Sequence, residues 1–309
     1  MVVANRYHEA DGLMAALCNQ MKHNPNLSYP YQVQWPLLPT DKAPHDNSVK
    51  PRCLIDVKKS TTDTDPTATM EIWCIDDLGY TGGESGKVTA MDKITNYTSP
   101  ASTPDGVVAF ATAGYPGTTS NDGCATMGGT IFIHDAANDV SGVQGGNWSW
   151  SGNMGVLVPS KTPASFFSGV AAEQTTLSAI TLEMIAPQNN PSSALKLFVA
   201  PDAVGISSVN IPTNIPGGSG TAYCNIDSTA IAQAPAKGAT NITSVETTHG
   251  VIRSKWPDAP FIYVTAIPNR VCHFPDEASG IYAQEFPSWH NAGIALKYAI
   301  PSFVNAIAS

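Results

Sequence analysis

Short apolar runs separated by polar, turn-forming stretches dominate the pattern along this 309-residue chain. The clearest pair of runs lies near the centre and flanks the polar stretch PQNNPSS. Their apolar residues recur with a period of two: Ile180, Leu182 and Met184 in the first run, and Leu195, Leu197 and Val199 in the second. Because successive side chains of a strand point to opposite faces, this period predicts two strands joined as a hairpin.

A second hairpin is predicted earlier in the chain. Ile55 and Val57 share one face of the run RCLIDVKK. After a polar loop, Met70, Ile72 and Cys74 share one face of the run TMEIWCID. Further runs of strand length follow between Gly-rich or Pro-rich segments: 88–94, 107–112, 130–134, 155–158, 204–211, 221–226, 251–256 and 261–267. These runs supply enough strands for an all-β fold.

The N-terminal region has a different pattern. Leu13, Met14 and Leu17 recur at helical spacing within residues 7–23, and acidic residues stand near the start, where the helix dipole favours them. Prolines then recur between residues 24 and 51, which keeps the backbone extended and excludes a central strand. We expect a short helix followed by an extended arm.

These elements predict three units along the chain. Residues 1–51 form the helix and arm, residues 52–160 a first β sandwich, and residues 161–309 a second one. Each sandwich begins with a hairpin followed by similarly spaced short strands, which supports the division. The alternative is a single sandwich with a long arm.

Charge excludes one class of function. Only 13% of the residues are charged, and 25 acidic residues against 16 basic ones give a formal net charge of -9. No cluster of Lys and Arg occurs, although nucleic-acid binding needs one to displace phosphate counterions. Strong direct binding to nucleic acid is therefore not expected.

Export and disulfide bonds are not expected either. The N-terminus lacks the basic and apolar regions of a secretory signal, and no apolar run reaches the ~18 residues of a membrane span. The six cysteines are scattered without C-x-x-C spacing. We therefore expect a soluble protein with reduced, mostly buried thiols.

The run GYTGGESGKVT is the strongest motif candidate. Gly86 and Lys87 suggest a phosphate-binding loop, but Thr81 stands where that motif has its first glycine, and Val88 replaces its hydroxyl residue. Ser85 lies between glycines as in a serine nucleophile loop, yet no histidine before it stands in a suitable context. A glycine-rich turn without catalytic function is the preferred interpretation.

Metal-binding candidates are dispersed. The acidic residues Asp63, Asp65, Asp76 and Asp77 supply the hard oxygen ligands that calcium prefers, but solvated loop charge is the better-supported interpretation. Two further sets lack the local spacing of a known metal site: His134, Asp135 and Asp139, and the pair Cys272 and His273. No catalytic residue and no cofactor is predicted.

The central hairpin, ITLEMIAPQNNPSSALKLFVAPD, resembles the paired strands of viral jelly-roll capsid proteins. The resemblance implies tandem jelly rolls, as in double jelly-roll major capsid proteins, or one jelly roll as in picornavirus-like shells. It implies a structural subunit of an icosahedral shell that is no enzyme. Its partners would be copies of itself, other virion proteins or an internal membrane. It would be located in the virion, and in the host cytoplasm during assembly.

Two other functions stay open at this point. An extracellular β-sandwich adhesive protein would explain Trp148 and Trp150 as a surface for stacking sugars, but it would need an export signal. A β-rich hydrolase would require His134, His249 or His273 to converge with an Asp and a Ser or Cys.

We expect Leu197→Asp to lower the melting temperature strongly, since the alternation places Leu197 in the core and an unpaired buried carboxylate costs several kcal/mol. Asn190→Asp, in the polar turn, is the control and should melt like the parent. Thermal melting compares the two variants. If Leu197→Asp melts like the parent, the strand prediction is wrong.

Overall fold

The chain contains both strands and helices in the part that the computed structural model describes: residues 1–18, 49–57, 65, 67–79, 83–97, 103–116, 130–139, 157–159, 162–178, 196–205, 231–232, 242–246, 248–271 and 286–308. The strands are β1 (Val2–Ala4), β2 (Cys53–Val57), β3 (Ala68–Cys74), β4 (Val107–Tyr115), β5 (Thr130–Asp139), β6 (Leu157–Pro159), β7 (Lys196–Gly205), β8 (Ile242–Glu246) and β9 (Phe261–Arg270). The helices are α1 (Tyr7–Cys18), α2 (Gly83–Tyr97), α3 (Ala164–Ser178), α4 (His249–Lys255) and α5 (Phe286–Ile307), with a 3₁₀ turn at Asp76–Leu78. None of these helices is both long enough and apolar enough to cross a membrane.

The described strands form one mixed sheet. β1 lies between β3 and β4 and runs parallel to both, and β4 runs parallel to β9. β5 pairs antiparallel with β9 and parallel with β7, and β7 runs parallel to β8. Because β8 also pairs antiparallel with β4, the pairings β4–β9–β5–β7–β8–β4 close into a ring. β2 extends the sheet beyond β3, and β6 pairs with β5.

Helices cover both faces of the part of the sheet that contains β3, β1, β4 and β9. Val2 and Ala4 lie in a core cluster with residues of α1, α3 and α5, whereas Val3 lies in a second cluster with residues of α2 and α4. β4 and β9 divide their side chains between the two clusters in the same alternating way. A strand that is buried on both faces must be apolar throughout, which explains the Val-Val-Ala sequence of β1.

α1 and α5 pack closely on one face of the sheet. A Cβ atom added at Gly12 would lie 3.1 Å from the backbone nitrogen of His290 and closer still to Cβ of Trp289. A Cβ atom added at Gly293 would lie 2.7 Å from Cβ of Ala16. The two glycines therefore allow the backbones of the two helices to approach each other.

Several local predictions are confirmed. β2 and β3 form the predicted antiparallel pair, with Ile55 opposite Met70, and the alternate residues of both strands lie in one core cluster. A helix forms at Tyr7–Cys18, inside the predicted range. Cys53 and Cys74 are free and buried, as expected. The proline-rich arm lies outside the described residues up to residue 48.

The predicted all-β fold is wrong in both its double and its single jelly-roll form. The sheet is mixed, with helices on both faces, and its parallel pairs need long crossover connections that a hairpin cannot supply. Strands from before and after residue 160 pair with each other, as β4 does with β9 and β5 with β7. The strands of 52–160 and 161–309 therefore belong to one sheet rather than to two sandwiches.

Two runs that were predicted as strands are helical. The run 88–94 lies in α2, and residues 251–255 lie in α4. A short apolar run fits a buried strand and a buried helix equally well. In the structure, the buried residues Lys87, Met91 and Ile94 are four and three positions apart, as on one face of a helix.

The central hairpin is replaced by a parallel arrangement. Its second run forms most of β7, and the described partners of β7, β5 and β8, both run parallel to it. Residues 180–185 lie outside the described residues. Leu197 pairs with Ile131 in β5, but its side chain is not among those described, so the effect of Leu197→Asp stays a prediction.

We expect Gly12→Ala to lower the free energy of unfolding by about 1–3 kcal/mol, the usual cost of overpacking, although alanine is the better helix former. Gly169→Ala in α3 is the matched control, because its Cβ would lie 3.2 Å from Oγ of Ser302, which can rotate away. Urea unfolding measures both variants. The close contact of α1 with α5 is contradicted if Gly12→Ala is at least as stable as Gly169→Ala.

Candidate active site

Polar residues collect where the parallel strands β1, β3 and β4 approach their carboxyl ends. The chain leaves β1 into the first turn of α1, which carries Glu9, and leaves β3 into the 3₁₀ turn that begins at Asp76. β8 arrives from the opposite direction and ends at Glu246 beside the same part of β4, because Val245 pairs with Gly114. Ligands of open α/β sheets bind outside the carboxyl ends of the strands. This edge is therefore the candidate site.

Glu9 is a buried carboxyl group held by three hydrogen bonds. Its Oε1 accepts from the backbone nitrogen of Thr112 at 2.7 Å and from the Thr112 hydroxyl at 3.0 Å. Its Oε2 accepts from the backbone nitrogen of Arg6 at 2.9 Å, the reciprocal contact of a helix capping box. Burial raises the pKa of Glu9, these hydrogen bonds lower it, and the charge of Glu246 raises it. The result is a pKa of about 7. Glu9 therefore exchanges its proton near neutral pH.

Lys87 brings a buried amine to the same place from α2. Its Nζ donates to Oγ1 of Thr248 at 2.7 Å. Burial lowers the pKa of Lys87 to about 8, although the charges of Glu246 and Glu9 oppose this. The three ionisable side chains therefore act on one another across three separate elements.

Glu246 closes the site at the end of β8. Its Oε2 accepts from the backbone nitrogen of Thr248 at 2.6 Å, and its Oε1 accepts from the backbone nitrogen of His249 at 2.5 Å and contacts Nδ1 of that ring. Burial raises the pKa of Glu246, but the charge and hydrogen bonds of His249, together with the charge of Lys87, outweigh it, so that the pKa is lowered. We call Glu9, Lys87, Thr112, Glu246 and Thr248 the carboxyl-edge cluster.

A buried ion-pair network fixes the loops around this cluster. Arg52 binds the carboxylate of Asp77 through Nε and Nη2, with Nη2 2.9 Å from Oδ1, and its Nη1 lies 2.8 Å from Oδ1 of Asp11. All three side chains are buried. Removing one partner of such a network leaves an uncompensated buried charge, which costs about 3–5 kcal/mol. Arg52 thus ties the turn after β3 to α1, the helix that carries Glu9.

The calcium candidates fall into two groups. Asp77 pairs with Arg52, while Asp76 accepts from the backbone nitrogen of Tyr7 at 2.9 Å and lies 3.4 Å from Nη1 of Arg6. These two aspartates are buried, so the interpretation as solvated loop charge is wrong for them. Asp65 is exposed. Asp63 lies outside the described residues, so calcium binding by that residue stays a prediction. The described residues contain no group of three or more His, Cys, Asp or Glu that could hold a metal ion.

The predicted glycine-rich turn at Gly83–Gly86 is wrong, because α2 begins at Gly83. Ser85 lies in that helix, and its side chain is not among those described. Lys87, considered only as part of a failed phosphate-loop match, belongs to the carboxyl-edge cluster. His134, Asp135 and Asp139 lie in β5 with undescribed side chains, whereas Trp148, Trp150, Cys272 and His273 lie outside the described residues. His249 is oriented by Glu246 rather than by an aspartate of a serine triad.

Four members of the cluster are not predicted from the sequence: Glu9, Thr112, Glu246 and Thr248. In the sequence, Glu9 is one of the acidic residues near the start of the predicted helix. The available signal was the order of elements, since an apolar strand followed by a turn and a helix with an early acidic residue is typical of the carboxyl edge of an α/β sheet.

A separate cavity of about 290 Å³ lies at the opposite edge of the sheet. Met70, Phe303 and Val304 contribute to its apolar lining, and Glu71 and Asp105 also line it. None of the carboxyl-edge cluster contributes to it. The chemistry of the cluster therefore identifies the candidate site better than cavity size does.

No protein-family model matches the sequence, and no curated protein sequence is similar to it. Solved structures are similar in fold. A protein from Francisella philomiragia, described as a 5'-methylthioadenosine/S-adenosylhomocysteine nucleosidase, superposes with a TM-score of 0.50 over 96% of each chain at 8% identity. A protein from Borrelia burgdorferi with the same description, bound to adenine, gives 0.51 over 97% of this chain and 99% of that one at 10% identity. At such low identity the likeness establishes the fold alone.

These comparisons correct the capsid hypothesis and what followed from it. The chain shares its fold with proteins described as nucleosidases and not with viral shell subunits. The predictions that it is no enzyme, that its partners are virion proteins and that it is located in a virion all rested on the jelly-roll resemblance. They are corrected with it, because the fold is that of proteins described as nucleosidases. The extracellular adhesive protein and the β-rich hydrolase also fit less well, since both assumed an all-β fold.

We expect the stability that Glu9 confers to fall as the pH rises. The pKa of Glu9 is raised from 4.5 to about 7, so the folded state binds this proton more tightly than the unfolded chain does. The contribution is complete below about pH 4.5 and decreases by about 3 kcal/mol as the pH rises to about 7. Urea unfolding of the parent and Glu9→Gln at a series of pH values measures it. A difference between the two that stays constant from pH 4.5 to 7 would contradict the burial of Glu9.

Proposed function

We propose that this protein is an enzyme that cleaves the N-glycosidic bond of a nucleoside-type small molecule at the carboxyl-edge cluster. The observation that carries the proposal is Glu9, a buried carboxyl group that titrates near neutrality at the ligand-binding edge of the sheet. The similar structures support the substrate class, because they are described as nucleosidases and one of them is bound to adenine.

Cleavage of a glycosidic bond suits a site with two buried carboxylates. As the bond from the anomeric carbon to the base nitrogen breaks, its electron pair leaves with the base and positive charge develops on the sugar. Negative charge on Glu9 and Glu246 stabilises that positive charge more strongly in a buried site than in water.

Glu9 is the group best suited to activate a water molecule. With a pKa of about 7 it is partly ionised at neutral pH and still basic enough to accept a proton. In the proposed step the water oxygen bonds to the anomeric carbon while the carboxylate of Glu9 takes one water proton. The two donors of Thr112 hold Oε1 in place for this transfer.

Lys87 balances the two carboxylates. Its ammonium group interacts favourably with both Glu9 and Glu246, and its hydrogen bond to Thr248 fixes its position. Without this cation, the two carboxylates would raise each other's pKa and one of them would take up a proton. Lys87 therefore keeps the site in the charge state that the proposed step needs.

The test is release of free base from adenosine, 5'-methylthioadenosine and uridine, measured by chromatography with and without phosphate. We expect release that declines as the pH falls below about 7, since Glu9 must be ionised to accept a proton. Glu9→Gln should lower the rate at least about 100-fold, the usual minimum for loss of a general base. The matched control is Asp56→Asn, at an exposed carboxylate of β2, which should act like the parent. The proposal fails if no base is released from any of the three, or if Glu9→Gln retains full activity.

A further inference from the structure

His249 is a buried residue that the proposed mechanism does not use. Its ring contacts Glu246 through Nδ1 and stacks on Tyr263, with 4.4 Å between ring centroids and 14° between ring planes. Among the residues that the structure describes, no group forms a hydrogen bond with its Nε2 atom. A buried ring nitrogen left in this way is costly, so the position of the ring requires an explanation beyond packing.

Glu246 connects this ring to Glu9 through the strand pairing. Val245 of β8 lies opposite Gly114 of β4, and the two strands run antiparallel. Glu246 is the next residue of β8, and Thr112 lies two positions before Gly114 on β4. Thr112 is the residue that holds Glu9. The strand that ends at Glu246 thus pairs with the strand that holds the proposed general base, and the charge of Glu246 acts on Glu9.

We infer that His249 is a positioning residue that acts through Glu246, holding the Glu246 carboxylate ionised and in place beside the strand segment that carries the contacts of Glu9. The charge of Glu246 then controls how readily Glu9 gives up its proton. This inference rests on the proposed function for its consequence in catalysis. The electrostatic link itself does not depend on which substrate is cleaved.

Other titratable and charged groups surround the pair of His249 and Glu246. Within the described residues they are Lys87 of α2, Tyr263 of β9, Glu9 of α1 and Arg253 of α4 itself. Arg253 is directed to the carbonyl oxygens of Trp256 and Ala259. Lys87 and His249 are therefore the two basic groups that stabilise the charge on Glu246.

The experiment compares the pH dependence of base release in the parent, His249→Gln, Glu246→Gln and the double variant. We expect Glu246→Gln to move the acid limb of the profile to lower pH by about half a unit or more, because Glu9 loses a repelling charge. His249→Gln should move it in the same direction, since Glu246 then takes up a proton as the pH falls. In the double variant, loss of His249 should add no further shift. Ser254→Ala, elsewhere on α4, is the control and should keep the parent's profile.

A second readout separates this inference from the proposed function. The pH midpoint at which Glu9 alters stability is obtained by comparing each protein with and without Glu9→Gln in urea unfolding. It should move in step with the activity profile, and it remains measurable if no substrate is turned over. The inference is overturned if Glu246→Gln leaves this midpoint unchanged. The inference is also overturned if His249→Gln leaves the midpoint unchanged, or if His249→Gln shifts the midpoint by the same amount whether or not Glu246→Gln is present. If His249→Gln does not fold, His249→Asn takes its place.

Discussion

Glu9 is shielded from bulk solvent, so the fold must supply the hydrogen bonds and counter-charges that bulk water would have provided. The residue is 3% exposed, and its carboxyl group accepts hydrogen bonds from Thr112 and Arg6. Burying such a group without partners would cost several kcal/mol. The strand order, the helix positions and the neighbouring charges at this edge together provide the partners that the buried carboxyl group of Glu9 needs.

The fold meets the requirement by bringing separate elements to one edge. Parallel strands β1 and β4 end on the same side, which places the first turn of α1 against β4. Arg52 locks the turn after β3 to α1 through two buried carboxylates. β8 pairs with β4 at Gly114, two positions after Thr112, and the charge of Glu246 at its end acts on Glu9. The pairing of β8 with β4, which closes the ring of strands, thus also brings the charge of Glu246 to the edge where Glu9 lies.

Low charge content was misleading as a guide to function. A charged content of 13% is compatible with a shell subunit without catalytic groups. Several of those few charges are instead buried: Glu9, Lys87 and Glu246 act on one another, and Arg52 pairs with Asp77 and Asp11. Their contacts join residues far apart in sequence, since Thr112 lies 103 positions after Glu9 and Thr248 lies 161 positions after Lys87. No local motif records such contacts.

The sequence by itself determined the elements whose stability depends on near neighbours. The β2–β3 hairpin follows from alternation within two short runs, and α1 follows from helical spacing of Leu13, Met14 and Leu17. Only the tertiary structure decided that residues 88–94 form a helix and that β7 pairs in parallel, because both states depend on distant partners. The same holds for Glu9, an ordinary acidic residue in the sequence. Its pKa near neutrality arises from burial and from the charge of Glu246, which exist only once the chain has folded.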